Sequence, residues 1–329
     1  MSSPRSRNIL LGAGIFCLAA TGLAPFLGPA IDLWDPVENA IFFDLRVPRA
    51  LMGLCCGAGL AAAGVVLQAI LKNPLATPYT LGVSSGAALG VVIAIVLGLD
   101  PVLHMRIGNL HLGRPVVGML GALLVIGLTY RVARVRGRLP TQTLLLAGVA
   151  LTYLFSALIL AIQYSATPHD AARILRWLVG SLESGLEYQP PIVVGLIVVA
   201  GLCALWPLGR AFNALSGGDE AALGVGVDVD RVVRRGYLVS SLMVGAIVAF
   251  AGPIGFIGLL VPHTLRLLGL VDNRMLLPAA ALAGGGFLAL CDGVTNLLST
   301  ARLPVGVLTH LLGGPFFLVL LLREKKRMH

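Results

Sequence analysis

The chain has 329 residues, 57% of them hydrophobic and only 12% charged, with a net charge of +9 and a mean hydropathy of +0.92. A water-soluble globular domain carries about 25% charged residues, so this composition excludes that class and predicts an all-α polytopic membrane protein, a single domain over 1–329. The excess positive charge calls for no nucleic acid, because basic loops on the cytoplasmic side of a membrane account for it.

A span needs about 20 mostly apolar residues. Ten stretches qualify, near 9–31, 50–71, 80–99, 115–133, 142–164, 190–209, 237–252, 254–271, 276–298 and 305–322. The first follows Arg5 and Arg7 like a signal peptide, but it is long enough to span and no small-x-small cleavage site follows, so it is read as a retained helix. The second opens on Arg46 and Arg49 around Val47-Pro48. Two readings of this outward-facing positive pair stand: lipid anchoring, or docking of carboxylates from an extracytoplasmic partner. Gly53 and Gly57 on the second span, and Gly82, Gly86 and Gly90 on the third, have the spacing that lets helix backbones approach.

The longest external loop runs over about 165–189, and within 171–182 Ile174, Leu175, Leu178 and Leu182 recur at helical spacing, predicting a short interfacial helix. A polar island follows at 210–235. Ser216 is a candidate cap, Asp219 and Glu220 suit a first turn, and Gly224 suits a stop, so a short helix is expected there. It is either a solvated connection or a handle for a soluble partner. Gly252-Pro253 separates the seventh span from the eighth. Asp292 is the carboxylate placed well inside a predicted span, with Asn296 one turn on; structural hydrogen bonding and a transport role are both open. His263 and His310 each lack a second ligand at metal spacing, which favours packed histidines. Cys17, Cys55, Cys56, Cys203 and Cys291 all fall in apolar runs without a CxxC pair and read as small hydrophobes. No GxxxxGK[ST] or HExxH stretch occurs, so the chain has no phosphate-cradling loop of its own.

Ten spans put both termini on one side. With the termini inside, 17 Lys and Arg fall inside against 7 outside, which predicts cytoplasmic termini and a cytoplasmic 210–235 segment.

Several stretches together resemble the iron-chelate uptake permease family, the permease subunits of bacterial importers for ferric siderophores, haem and cobalamin. They are Arg46-x-Pro48-Arg49, Gln68, Asn73-Pro74-Leu75-Ala76, Gly82 and Gly86; Trp177-Leu178-x-Gly180-Ser181-Leu182; FNALSGGDEAALGVGV at 212–227; FAGPIGFIGLLVPHTLR at 250–266, with Gly252, Pro253, Gly255, Pro262 and His263; and LPVGVLTHLLGGPFFLVLL at 303–321, with Pro315. The likeness runs in order along nearly the whole chain. It implies a bacterial inner-membrane subunit with ten spans, paired with a second copy of itself around a central path lined mainly by the fifth and tenth spans. Two cytoplasmic ATP-binding subunits, which would hold ATP and Mg, and an extracytoplasmic substrate-binding protein are the implied partners. Leu215, Gly217, Asp219, Glu220, Ala221, Leu223 and Gly224 would contact the ATPase, and Arg46 and Arg49 would meet the binding protein. The chain departs from the family near Asp292, where Asn296 replaces the usual arginine and Arg302 stands where glutamate is common, making Arg302 a candidate substitute. Gly313-Gly314-Pro315 is expected to break the tenth span. Ferric complexes are the commoner family cargo, and cobalamin and haem stay open; an ion-driven secondary carrier is the alternative.

Overall fold

The computed structural model describes residues 4–29, 31–99, 106–107, 110–111, 113–135, 137–182, 188–298 and 303–327. Arg302 lies outside them. Fourteen α-helices are described: α1 Pro4–Leu23, α2 Pro36–Ile41, α3 Val47–Ile70, α4 Val83–Val96, α5 Gly113–Ala133, α6 Thr141–Ser165, α7 Pro168–Leu178, α8 Gln189–Leu205, α9 Gly209–Ser216, α10 Asp219–Gly224, α11 Val229–Ala251, α12 Ile257–Leu267, α13 Asn273–Leu298 and α14 Val305–Arg327. A two-residue antiparallel pairing joins Arg106–Ile107 to Leu110–His111.

Among the described residues, seven helical segments are long and apolar enough to cross a membrane, and three shorter apolar ones occupy the remaining expected positions. The third and eighth spans are shorter than the sequence predicts: α4 has 14 residues and α12 has 11. In both places the apolar run is spent partly on non-α backbone, a 3₁₀ turn at Pro78–Leu81 before α4 and a non-helical Gly252–Gly255 link before α12. The seventh span is longer than predicted. Asp228 caps it by accepting from Arg231 N at 3.0 Å, so Arg231, Arg234 and Arg235 lie in its first turns and not in a loop. Gly313-Gly314-Pro315 does not break α14, which stays helical from Val305 to Arg327.

The bundle is layered by side-chain size. The Gly- and Ala-rich α3, together with α11 and α13, is buried along most of its length, while α1, α5, α6 and α8 form a rim with large apolar side chains facing outwards. Small residues set this arrangement, because lipid supplies no hydrophobic drive between helices and close contact must do so. A methyl added at Gly57 would stand 2.1 Å from the Gly284 carbonyl oxygen of α13, and one at Gly64 would stand 2.0 Å from that of Gly258 in α12. Gly86 and Gly90 meet Gly121 and Val117 of α5 in the same way. Gly82 differs: with φ +77° it closes the turn ahead of α4.

Two prolines inside helices, Pro262 and Pro278, free carbonyls that other side chains then satisfy. Pro262 cannot donate to Gly258 O, and Gln68 Nε2 donates there instead at 3.1 Å. Pro278 leaves Arg274 O, which accepts from Trp206 Nε1 at 3.0 Å. Within an apolar bundle each such carbonyl needs a partner.

Candidate functional site

The α9–α10 segment and α7 lie at opposite ends of the bundle. They are linked by α11, whose 23 residues span about 34 Å.

At the first end, α9 is amphipathic and sinks Phe212 and Leu215 completely into the core. Leu215, predicted to touch a partner, is therefore an anchor for the segment; its spacing from Phe212 places both on the inner face. Ser216 does not cap the next helix. It donates back to Phe212 O at 3.0 Å, and Gly218, at φ +107°, makes the turn into α10. Only Ala222 of α10 is buried. Gly217, Asp219, Glu220, Ala221, Leu223 and Gly224 are exposed, and Leu223 at 60% and Val225 at 71% form an exposed apolar edge beside Glu220. Val225 was missed in the sequence because it follows the glycine that stops the helix. Gly226, at φ +78°, turns the chain back into α11 while Val227 N closes on Ala222 O at 3.0 Å.

A cleft of about 500 Å³ opens between α9, the end of α3 and the start of α13, lined among others by Gln68, Lys72, Asn213, Arg266, Asp272 and Asn273. Asn213 Nδ2 donates to Asp272 Oδ1 at 2.7 Å, and its Oδ1 accepts from Asn273 N at 2.8 Å, fastening α9 to the start of α13. Lys72 Nζ meets Asp219 Oδ1 at 2.6 Å. Arg266 donates to Gln68 Oε1. Asn73 Oδ1 accepts from Leu75 N at 2.9 Å, which sets the turn at Asn73-Pro74.

At the α7 end, three of the sequence motifs meet. α7 is capped by Thr167, which accepts from Asp170 N at 3.2 Å. It packs Ile174 into the bundle while Leu175 faces outwards, so the predicted amphipathic helix rests on protein as well as facing out. Beyond it Gly180, at φ +75°, lets Ser181 N donate to Ala251 O at 2.9 Å while Gly306 N donates to Gly180 O at 3.2 Å. Gly252, at φ +69°, turns the chain under Trp177, where a methyl would stand 2.6 Å from Trp177 O. Gly180 would place one 2.2 Å from Pro253 O. The ends of α7, α11 and α14 are thus backbone-locked.

Arg46 and Arg49 do not form an outward-facing pair. Arg49 is 9% exposed, and its Nε lies 2.8 Å from Asp292 Oδ2 and 2.9 Å from Oδ1. Arg46 turns back to the Pro25 and Pro29 carbonyls at 3.2 and 3.0 Å. Arg49 lies in the first turn of α3, which packs on α13, whereas Arg46 ends the π-helical Phe42–Arg46 segment before α3. Sequence proximity suggested a patch, whereas Asp292, 243 positions away, draws one arginine inside.

The two histidines are engaged with aromatic rings between α12 and α14. His310 lies edge-on to Phe256 with ring centres 5.4 Å apart, and His263 to Phe316 at 6.3 Å. Gly255 leaves room for the His310 ring, and Gly313 for that of Phe256. Phe256 itself adopts φ +67°, a strained conformation for a non-glycine residue. On α14, His310, Leu311, Leu312, Pro315 and Leu318 are all exposed. An ionisable ring facing hydrocarbon is costly, so this face suits water or protein better than lipid.

Residues 10–323 match the FecCD transport family. The chain is 40% identical over 283 residues to the cobalamin import system permease protein BtuC of Halobacterium salinarum, covering 86% of this chain and 73% of that one. It is 38% identical over 332 residues to the vitamin B12 import system permease protein BtuC of Klebsiella pneumoniae, covering 98% and 96%. Among solved structures, an inward-facing chain described as a metal-chelate type ABC transporter matches with a TM-score of 0.84 and 31% identity, covering 96% of this chain and 99% of that one.

Proposed function

The chain belongs to the FecCD transport family, and from that premise we propose that it passes cobalamin through the bacterial inner membrane. It is an ABC-importer permease of the integral membrane, not an enzyme. The observation that carries the choice of cargo is the likeness to vitamin B12 import permeases over essentially the whole chain; ferric siderophore and haem rank behind it.

The mechanism needs an external motor. Two ATP-binding subunits, holding ATP and Mg, seat on the exposed α10 edge of Glu220, Leu223 and Val225. ATP binding shifts the permease only through contacts that differ between its states. A short helix pinned to the bundle by Phe212, Leu215 and Asn213 supplies such a contact. A second copy packs so that the exposed α14 face, with the rim helix α6, borders the path. A substrate-binding protein docks at the α7 end. Arg46, and Arg302 beyond the described residues, carry positive charge to that face, while Arg49 supports it from within. Both termini lie in the cytoplasm, as the distribution of basic residues favours. The ion-driven alternative loses ground, because Asp292, the carboxylate it needs, is neutralised by Arg49.

The test is reconstitution of the purified chain with its copurifying ATPase and cognate binding protein in liposomes. ATP-dependent accumulation of labelled cyanocobalamin is expected. Accumulation of a ferric siderophore or haem with none of cobalamin would replace the cargo, and uptake without any ATPase would overturn the importer reading.

A further inference from the structure

We infer that Lys72 is a positioning residue for energy coupling: through Asp219 it ties the α10 helix to the end of α3. This rests on the importer reading above and adds to it the route by which movement of α10 enters the bundle. The backbone at Lys72 carries the argument. Asn73 N donates to Gln68 O at 3.2 Å and Lys72 N to Ala69 O at 3.4 Å, the paired closure that ends a helix with one left-handed residue. Lys72 is that residue, at φ +51°. Glycine is the usual occupant, since a Cβ is disfavoured there. A lysine held in this conformation, with its ammonium 2.6 Å from Asp219, keeps a side chain where the turn alone would favour none.

The tie also leads somewhere. Gln68, whose carbonyl accepts the closing bond, holds Gly258 O and receives Arg266, so the end of α3 is bonded to α12. Across the cleft the second tie, Asn213 to Asp272, joins α9 to α13. Displacement of α10 is therefore delivered to α3 and α12 through Lys72, and to α13 through Asn213. The two side chains keep 28% and 50% of their surface exposed, so the link can break and re-form without exposing a buried charge.

Lys72→Gly tests this without endangering the fold, because glycine suits the turn. In the reconstituted complex this variant should assemble with the same amount of ATPase and unfold at the same temperature or higher. Its cobalamin uptake per ATP hydrolysed should fall about fivefold, the lower range of a typical coupling effect. Lys72→Arg should retain the ratio. In an Asp219→Asn background the change to glycine should cost nothing further, since the pair is already broken. Unchanged coupling in Lys72→Gly, or losses that multiply in the double variant, would overturn the tie alone. Absence of ATP-dependent uptake by the unaltered complex would instead overturn the importer reading and the tie with it.

Discussion

Asp292→Ala should be among the most destabilising single substitutions in this chain. The carboxylate bridges α13 to α3 through both oxygens at 2.8 and 2.9 Å from Arg49 Nε, and the two side chains are only 9% and 4% exposed. Removing the acid strands a guanidinium inside the bundle, and breaking a buried pair in this way costs about 3–5 kcal/mol. Replacing both partners, as in Arg49→Met with Asp292→Leu, removes the charge along with its counter-charge and should recover to within about 1 kcal/mol of the original. Equilibrium unfolding in mixed micelles, run on all four members of the cycle, measures each value and the coupling between them. A cost below about 1 kcal/mol for Asp292→Ala, or a double variant no better than the single, would show that the pair does not hold α3 to α13. The same cycle separates structure from docking. A binding protein that engages the double variant normally has no need of Arg49, whereas Arg46→Glu should weaken its docking, most clearly at low salt.

Gly57→Ala should disrupt the α3–α13 crossing, since the added methyl would lie 2.1 Å from the Gly284 carbonyl; overpacking of this kind costs about 1–3 kcal/mol or more. Gly12→Ala, with nothing within 4 Å of its new methyl, is the matched control and should leave detergent thermostability unchanged or slightly higher. Equal loss in both would refute the packing argument. On the α9–α10 segment, Leu223→Asp and Leu215→Asp should fail differently. The first, at an exposed edge, should lose the copurifying ATPase while the permease stays folded; the second, at a fully buried position, should lower the yield of folded permease itself. Full recovery of ATPase with Leu223→Asp would remove α10 from the partner interface.

Composition and pattern alone settled the class of this protein. Few charges and long apolar runs leave no fold but a membrane bundle, and the ten positions predicted for spans all carry helices, because hydropathy acts locally along the chain. The break between α11 and α12 was legible for the same reason, since Gly252 and Pro253 act on their own backbone. The short helix at Asp219–Gly224 was legible from its acidic start and terminal glycine, although Gly218 and not Ser216 makes its entry.

What the tertiary structure decided is which side chains are free to act. Arg49 reads as a surface cation until Asp292 is brought beside it, and Leu215 reads as a contact residue until α9 turns it inwards. Gln68 is an isolated amide in the sequence; the crossing of α3 and α12 sets it against the carbonyl that Pro262 leaves open. These assignments depend on partners roughly 200 residues apart, and no local propensity encodes such distances. Hydropathy decides that a segment enters the membrane, but the close approach of glycine-lined helices decides which buried polar groups face one another.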